Sequence, residues 1–239
     1  MASAKHGELR ELFDEVWFVT GEVRMGGPLP MAFSRNMTVV REGDALTLIG
    51  SMRLDDEGLR ELEELGTVAH VIRLAAFHGM DDAFYRERYG ATIWAVEGSA
   101  YRKGFDTDGE PYLEPDEWLT EDGALPIEGA RLIRFGSATP PEGMLLLERD
   151  GGILISGDCL QHIEKADEYF TLPARLVMWV MGFMKPHNVG PGWVRGAKPD
   201  PDDVRRLLDL EFEHVLPVHG APVRGDAKAK YRPALERLR

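Results

Sequence analysis

The sequence predicts an α/β fold of four layers, an αββα sandwich carried by one domain over residues 1–239. Two blocks of short apolar strands, each followed by a helical pattern, are the first reason, because strands and helices so ordered stack as sheet on sheet with helices outside. The second is that no linker rich in Ser or Gly separates the two blocks. The third is that three strand-like runs each end in a histidine or an aspartate, at His78, Asp158 and His219.

The elements follow in order. Glu15 to Val23 alternates and is rich in Val, Trp and Phe, the pattern of a strand, and Met25-Gly-Gly-Pro-Leu-Pro30 breaks it into a loop. Asn36–Arg41 and Ala45–Ile49 are strands joined by the turn Glu42-Gly43-Asp44. Asp55 and Asp56 offer a helix N-cap, Leu59, Leu62 and Leu65 recur at helical spacing, and Gly66 stops the helix. Val68–Leu74 is a strand leading to His78, Asp82–Tyr89 a short helix, and Ala91–Val96 a strand. Gly98–Gly123 mixes Gly, Pro, acids and aromatics and reads as a long excursion.

In the second block Ala130–Phe135, Met144–Glu148 and Ile153–Ser156 are strands, with a turn at Asp150-Gly-Gly. Residues 161–196 form a Trp/Met-rich insertion or lid, in which Leu176–Met184 reads as a lid helix, a dimer contact or ordinary core. Pro201–Phe212 is an amphipathic helix with Asp200 or Asp202 as cap, and the last strand runs into His219. The final eighteen residues carry six Lys/Arg against two acids and read as a solvated basic tail.

Composition excludes several classes. A hydrophobic share of 44% with 29% charged residues is that of a water-facing globule, and no apolar run reaches the length of a membrane span. The first residues, MASAKHGELRELF, lack the apolar core of a secretory signal. The single cysteine, Cys159, allows no intramolecular disulfide and points to a reducing, cytoplasmic setting. It reads as a small packing residue, since no base is placed to activate it. A net charge of −13 argues against a nucleic-acid partner. There is no GxGxxG, no GxxxxGK[ST] and no GxSxG elbow.

The chemistry-bearing stretches are His78-Gly-Met-Asp-Asp82-Ala83, Gly136-Ser-Ala-Thr-Pro140, Ser156-Gly-Asp-Cys-Leu160 and Leu216-Pro-Val-His-Gly220. In this order, each beside an apolar strand, they resemble the metallo-β-lactamase fold superfamily, whose signature is His-x-His-x-Asp-His. The resemblance covers roughly residues 16–223. It implies an αββα fold and a site in which two adjacent metals activate a water. Carried over residue by residue, His78, Asp82, Asp158 and His219 match, while Met80, Ala83 and Ser137 stand where histidines should. The usual two-metal site cannot form with these ligands, because a thioether suits such ions poorly and alanine offers no ligand atom.

What the resemblance leaves is a reduced site: Asp82, Asp158 and His219 on a single Zn²⁺, Mn²⁺ or Fe²⁺, or on no metal at all. His78 would be a fourth ligand or a general base, and Asp82 a ligand or an orienting group for water. The carboxylates of Asp82 and Asp158 are then expected within about 5 Å of His219. The corresponding function is a one-metal hydrolase of an ester, thioester, lactone or phosphoester. The alternative is a non-catalytic descendant that binds a small ligand or a protein, in which Asp82 caps a helix, Asp158 satisfies its turn and His219 is a core histidine. His162, four residues after Asp158, is a replacement ligand or a pocket histidine, and His187 and Trp193 lie in a loop that shapes access or merely connects.

Overall fold

Strand β1 (Arg10–Phe13) leads into β2 (Val16–Met25), which pairs antiparallel with β3 (Met31–Glu42) from Val16↔Val40 to Met25↔Met31. This computed structural model describes residues 3–26, 30–101 and 110–239. The loop expected at 25–30 and the excursion expected at 98–123 therefore lie partly outside the described residues. The turn Gly43-Asp44, with Gly43 at φ 61°, returns β3 to β4 (Ala45–Ile49).

Helix α1 (Asp56–Leu65) starts where Asp55 accepts the N–H groups of Glu57 and Gly58, and buries Leu59 and Leu62. It carries the chain to β5 (Thr67–Arg73), parallel to β4. Helix α2 (Asp82–Tyr89) makes a second crossover to β6 (Thr92–Val96), and β7 (Glu117–Leu119) completes a seven-stranded sheet in sequence order.

The second sheet begins with β8 (Ala130–Phe135), β9 (Glu142–Leu147) and β10 (Ile153–Ser156). The chain then leaves it for β11 (Leu160–Gln161), α3 (Leu172–Val180), β12 (Asn188–Val189), α4 (Pro191–Ala197) and α5 (Pro201–Arg205). It returns as β13 (His214–Pro217), parallel to β10, then β14 (Val223–Arg224) and α6 (Ala227–Glu236), giving the order β14-β13-β10-β9-β8.

Alternation along the strands explains the layers. Val16 and Phe18 of β2 face the second sheet and meet Leu145, Leu147, Ile153, Ile155 and Leu216. Trp17 and Val19 point the other way, into a core shared with Leu59, Leu62 and Tyr85 of α1 and α2. On the far side Met144 and Leu146 of β9 pack with Trp193, Val204, Tyr231 and Leu235 under α4, α5 and α6. Helix, sheet, sheet and helix are stacked as expected, and β9 is buried along its whole length, apolar from Met144 to Leu147, because both its faces are covered.

Three expectations are corrected. The helix expected over 201–212 is α5 followed by a 3₁₀ turn, Arg206–Asp209, and the chain is extended at Leu210. The basic tail is not merely solvated: α6 buries Ala227, Tyr231 and Leu235 four residues apart and turns its lysines outward. The strand expected at Asn36–Arg41 begins five residues earlier, at Met31, and that extension reaches the site. Among the described residues no helix is long and apolar enough to cross a membrane.

Candidate metal centre

Parallel pairing sets two of the ligand positions. Ser156 of β10 is in register with Pro217 of β13, and Asp158 and His219 each lie two residues beyond that pair. Both side chains therefore leave the same edge of the second sheet, at the C-terminal ends of parallel strands, where α/β sheets place their sites. β5 of the first sheet brings His78 to the same edge, five residues past its end.

The three converge. His78 Nε2 is 3.3 Å from Asp158 Oδ1 and 3.3 Å from Oδ2, and His219 Nε2 is 3.3 Å from Oδ1. One ligand atom from each lies within 4.8 Å of the others, and all three residues are 7 to 9% exposed. The edge of a tetrahedron around an ion with bonds of about 2.0–2.1 Å is about 3.3–3.4 Å, so the spacing suits a single divalent ion with an open position. The cluster can hold a metal ion.

The surroundings orient it. His219 donates its Nδ1–H to the Ser34 carbonyl at 2.9 Å, which turns Nε2 toward Asp158. Asn36 Nδ2 donates to the carbonyls of Pro217 (2.8 Å) and Gly220 (2.7 Å), clamping the His219 loop to β3. Gly220 has φ 92°, and a Cβ there would stand 2.0 Å from the His162 carbonyl oxygen. Burial alone would push the Asp158 carboxyl up, but the two histidines reverse this and hold it well below the usual carboxylate range. Glu142 behaves oppositely: burial and then the Asp158 charge push its carboxyl up, while it accepts the Cys159 N–H at 2.6 Å. Cys159 is fully buried and its thiol is pushed up by burial and by Glu142, in keeping with a packing residue.

The structure does not bring Asp82 to the cluster, a correction to its expected place among the ligands. Asp82 is fully buried and points into the core under α2, where its carboxylate accepts the hydroxyls of Ser51 and Tyr101. Burial pushes its carboxyl up, against those hydrogen bonds and the charge of Arg73. Neighbouring Asp81 is paired with buried Arg35. Gly79 permits this packing, since a Cβ there would lie 2.6 Å from Arg73 Cδ and 2.7 Å from Asp82 Oδ2.

Other positions are committed elsewhere. Ser137 donates to Asp203 and accepts the Asp200 N–H, so it serves the start of α5. His162 Nδ1 accepts the His187 N–H at 3.2 Å and its ring stacks on His187 at 4.4 Å, outside the cluster. Trp193 is core, edge-on to Phe135. Sequence reasoning missed Phe33, whose ring lies 5.6 Å from that of His219, together with Ser34, Asn36 and Glu142. An asparagine within a β-branched strand and an acid opening an all-apolar strand were the available signals.

Comparison with known proteins rests on structure. No protein-family model matches the sequence, and no curated protein sequence does. Among solved structures, the metallo-β-lactamase VMB-1 superimposes with a TM-score of 0.66 at 14% identity, covering 98% of this chain and 98% of that one. A metallo-β-lactamase from Hirschia baltica gives 0.62 at 13% identity, with 97% and 98% covered. FIM-1 from Pseudomonas aeruginosa, in a mono-zinc form, gives 0.62 at 13% identity, with 98% and 96% covered. The chain has the metallo-β-lactamase fold. Within the metallo-β-lactamase fold, end-to-end coverage leaves no room for a large missing layer, and His78, Asp158 and His219 occupy the strand ends that the sequence resemblance assigned to ligands.

Proposed function

We propose that this chain is a one-metal hydrolase that binds Zn²⁺, Mn²⁺ or Fe²⁺ through His78, Asp158 and His219 and acts on an ester, thioester, lactone or phosphoester. The observation that carries the reading is the convergence of His78, Asp158 and His219, with His219 Nε2 3.3 Å from Asp158 Oδ1 beside His78. Two imidazoles and a carboxylate so spaced match the ligand types and distances of a divalent-ion site, and three protein ligands are the number at which a metal site keeps a position for chemistry. The chemistry such an ion supplies is Lewis acidity, which polarises a carbonyl or phosphoryl oxygen and lowers the pKa of a water.

The chain's own residues do the rest. Ser34 fixes the His219 tautomer, Asn36 holds its loop, and Glu142 holds the backbone beside Asp158. Asp158 Oδ2 lies 3.3 Å from His78 Nε2, so both Asp158 oxygens are within reach of that histidine. Asp82, committed to Ser51 and Tyr101, takes no part.

A second reading is favoured by the positions that lack a ligand, Met80, Ala83 and Ser137: a non-catalytic descendant that recognises a small ligand or a protein. Elemental analysis of chelator-free protein, beside a screen of ester, thioester, lactone and phosphoester substrates, separates the two. About one equivalent of metal with turnover lost in Asp158→Asn supports the hydrolase. One equivalent without turnover on any class, or no metal after incubation with Zn²⁺, Mn²⁺ and Fe²⁺, overturns the hydrolase and moves the assignment to the binding protein.

A further inference from the structure

Helix α3 is apolar on both faces, and among the described residues only one of them is covered. Ala174 and Met178 pack inward with Ile163 and Phe170. Leu172, Leu176, Trp179 and Val180, with Met181 just beyond the helix, are between 42 and 78% exposed. Their spacing of four, three and one residues sets them on one stripe, and Arg175 is the only charge in the helix. A helix of this kind is ordinarily buried all round.

Area and composition describe the missing cover. Five such side chains present on the order of 500–600 Å², at the top of the range for the largest patch on a monomer. A standard protein interface needs about 800 Å² from each partner, so α3 supplies most of one side. Trp, Met and Arg are the types that concentrate in interface cores. A lipid surface fits less well, because membrane-surface helices line their polar edge with several Lys/Arg, and this chain carries a net charge of −13.

Charge along the helix selects among protein partners. Asp167 precedes α3, Glu168 beside it is paired with Lys5 of the same chain, and Lys185 follows the helix. Two α3 helices packed antiparallel bring the acidic end of one against the basic end of the other, the self-complementarity that a two-fold axis requires. We infer that a second copy of this chain covers the outer face of α3, through antiparallel α3–α3 contact across a two-fold axis. The inner face of the same helix packs with Phe33, next to His219, so the partner buttresses one wall of the centre. The inference does not depend on metal binding.

Sedimentation velocity of the full chain, from ~1 to ~100 µM, tests it in a range where a moderate dimer dissociates. The wild type is expected at twice the monomer mass at the upper end. Trp179→Glu and Leu176→Glu are expected to be monomeric there, with unchanged circular dichroism and thermal midpoint because both side chains are exposed. A wild type that is monomeric throughout overturns the inference. So does a Trp179→Glu protein that dimerises as tightly as the wild type, or a monomeric wild type that floats with phosphatidylcholine vesicles.

Discussion

His219 reaches across from the second sheet to donate its Nδ1–H to Ser34 of the first, at 2.9 Å, and that bond decides which of its nitrogens is free. A carbonyl can only accept, so Nδ1 carries a proton and Nε2 is the nitrogen turned to Asp158. The centre is thereby tied to the packing of the two sheets, and metal occupancy must report on folding. A divalent ion at ~100 times its Kd is expected to stabilise the protein by about 2.7 kcal/mol. Thermal unfolding with metal and with EDTA reads this directly. The shift is expected to vanish in His219→Ala and His78→Ala; an EDTA-sensitive His219→Ala protein would place the metal elsewhere.

Asp82 provides a contrast within the same motif. Its carboxylate serves Ser51 and Tyr101 under α2 and not the metal cluster. Asp82→Asn is expected to bind metal with unchanged affinity while losing about 1–3 kcal/mol of stability, the cost of weakening hydrogen bonds in a buried network. Isothermal titration with Zn²⁺ and urea unfolding on the same preparation give both numbers. Metal affinity reduced as strongly as in Asp158→Asn would return Asp82 to the ligand set.

The contrast shows how far the sequence could be read. The strand ends at Asp158 and His219 were visible because apolar runs stop at polar residues, and parallel pairing then gives both the same offset. Asp82 is equally polar and follows a strand too, but at nine residues past β5 and inside α2 rather than at two. What holds it inward are the hydroxyls of Ser51 and Tyr101, the latter from a distant loop, with the charge of buried Arg73 nearby. Neither has a local signature. Helix α6 was hidden for a related reason: Lys228, Lys230 and Arg232 give the segment a basic look, while only Ala227, Tyr231 and Leu235 carry the packing.

Asn36 is the polar staple of the centre, donating to Pro217 and Gly220 on either side of His219. Asn36→Ala leaves two buried carbonyls without those donors and is expected to cost about 1–3 kcal/mol. Because it frees the ligand loop, Zn²⁺ affinity is expected to fall ~10-fold or more, as for other groups that orient ligands. Competition with a fluorescent chelator measures it. Stability lost with affinity intact would make Asn36 a packing residue only.

Gly220 is the closest approach in that loop. Its φ of 92° and the His162 carbonyl, 2.0 Å from where a Cβ would sit, leave no room for a side chain. Gly220→Ala is expected to cost about 2–4 kcal/mol through strain and displaced backbone. The loop would shift at His162, whose N–H donates to the His219 carbonyl at 3.2 Å, and metal affinity would fall with it. A variant with wild-type unfolding and wild-type metal content would show that the loop can move without disturbing the centre.

Histidine burial gives the fold a pH dependence whose sign can be worked out at His70. Burial holds His70 below its ordinary value, against the opposing charge of Glu42, and Trp94 Nε1–H donates to His70 Nδ1 at 3.3 Å. A protonated imidazole has no acceptor to offer that donor. The folded pKa being lowered, the unfolded chain takes up this proton first as pH falls through about 6.5, so the contribution to stability is complete above that value and declines below it. His162 and His187, lowered first by burial, act in the same direction. Glu142 and Asp82, raised by burial, act in the opposite direction over part of the range, so total stability does not isolate the histidine. The difference between wild type and His70→Gln does, because Gln keeps an acceptor for Trp94 and does not titrate. Urea unfolding at about pH 7.5 and about pH 5.5, either side of the histidine range, is expected to show the wild type losing stability relative to His70→Gln at the lower pH. An equal difference at both values would mean that His70 titrates alike in the folded and unfolded chain.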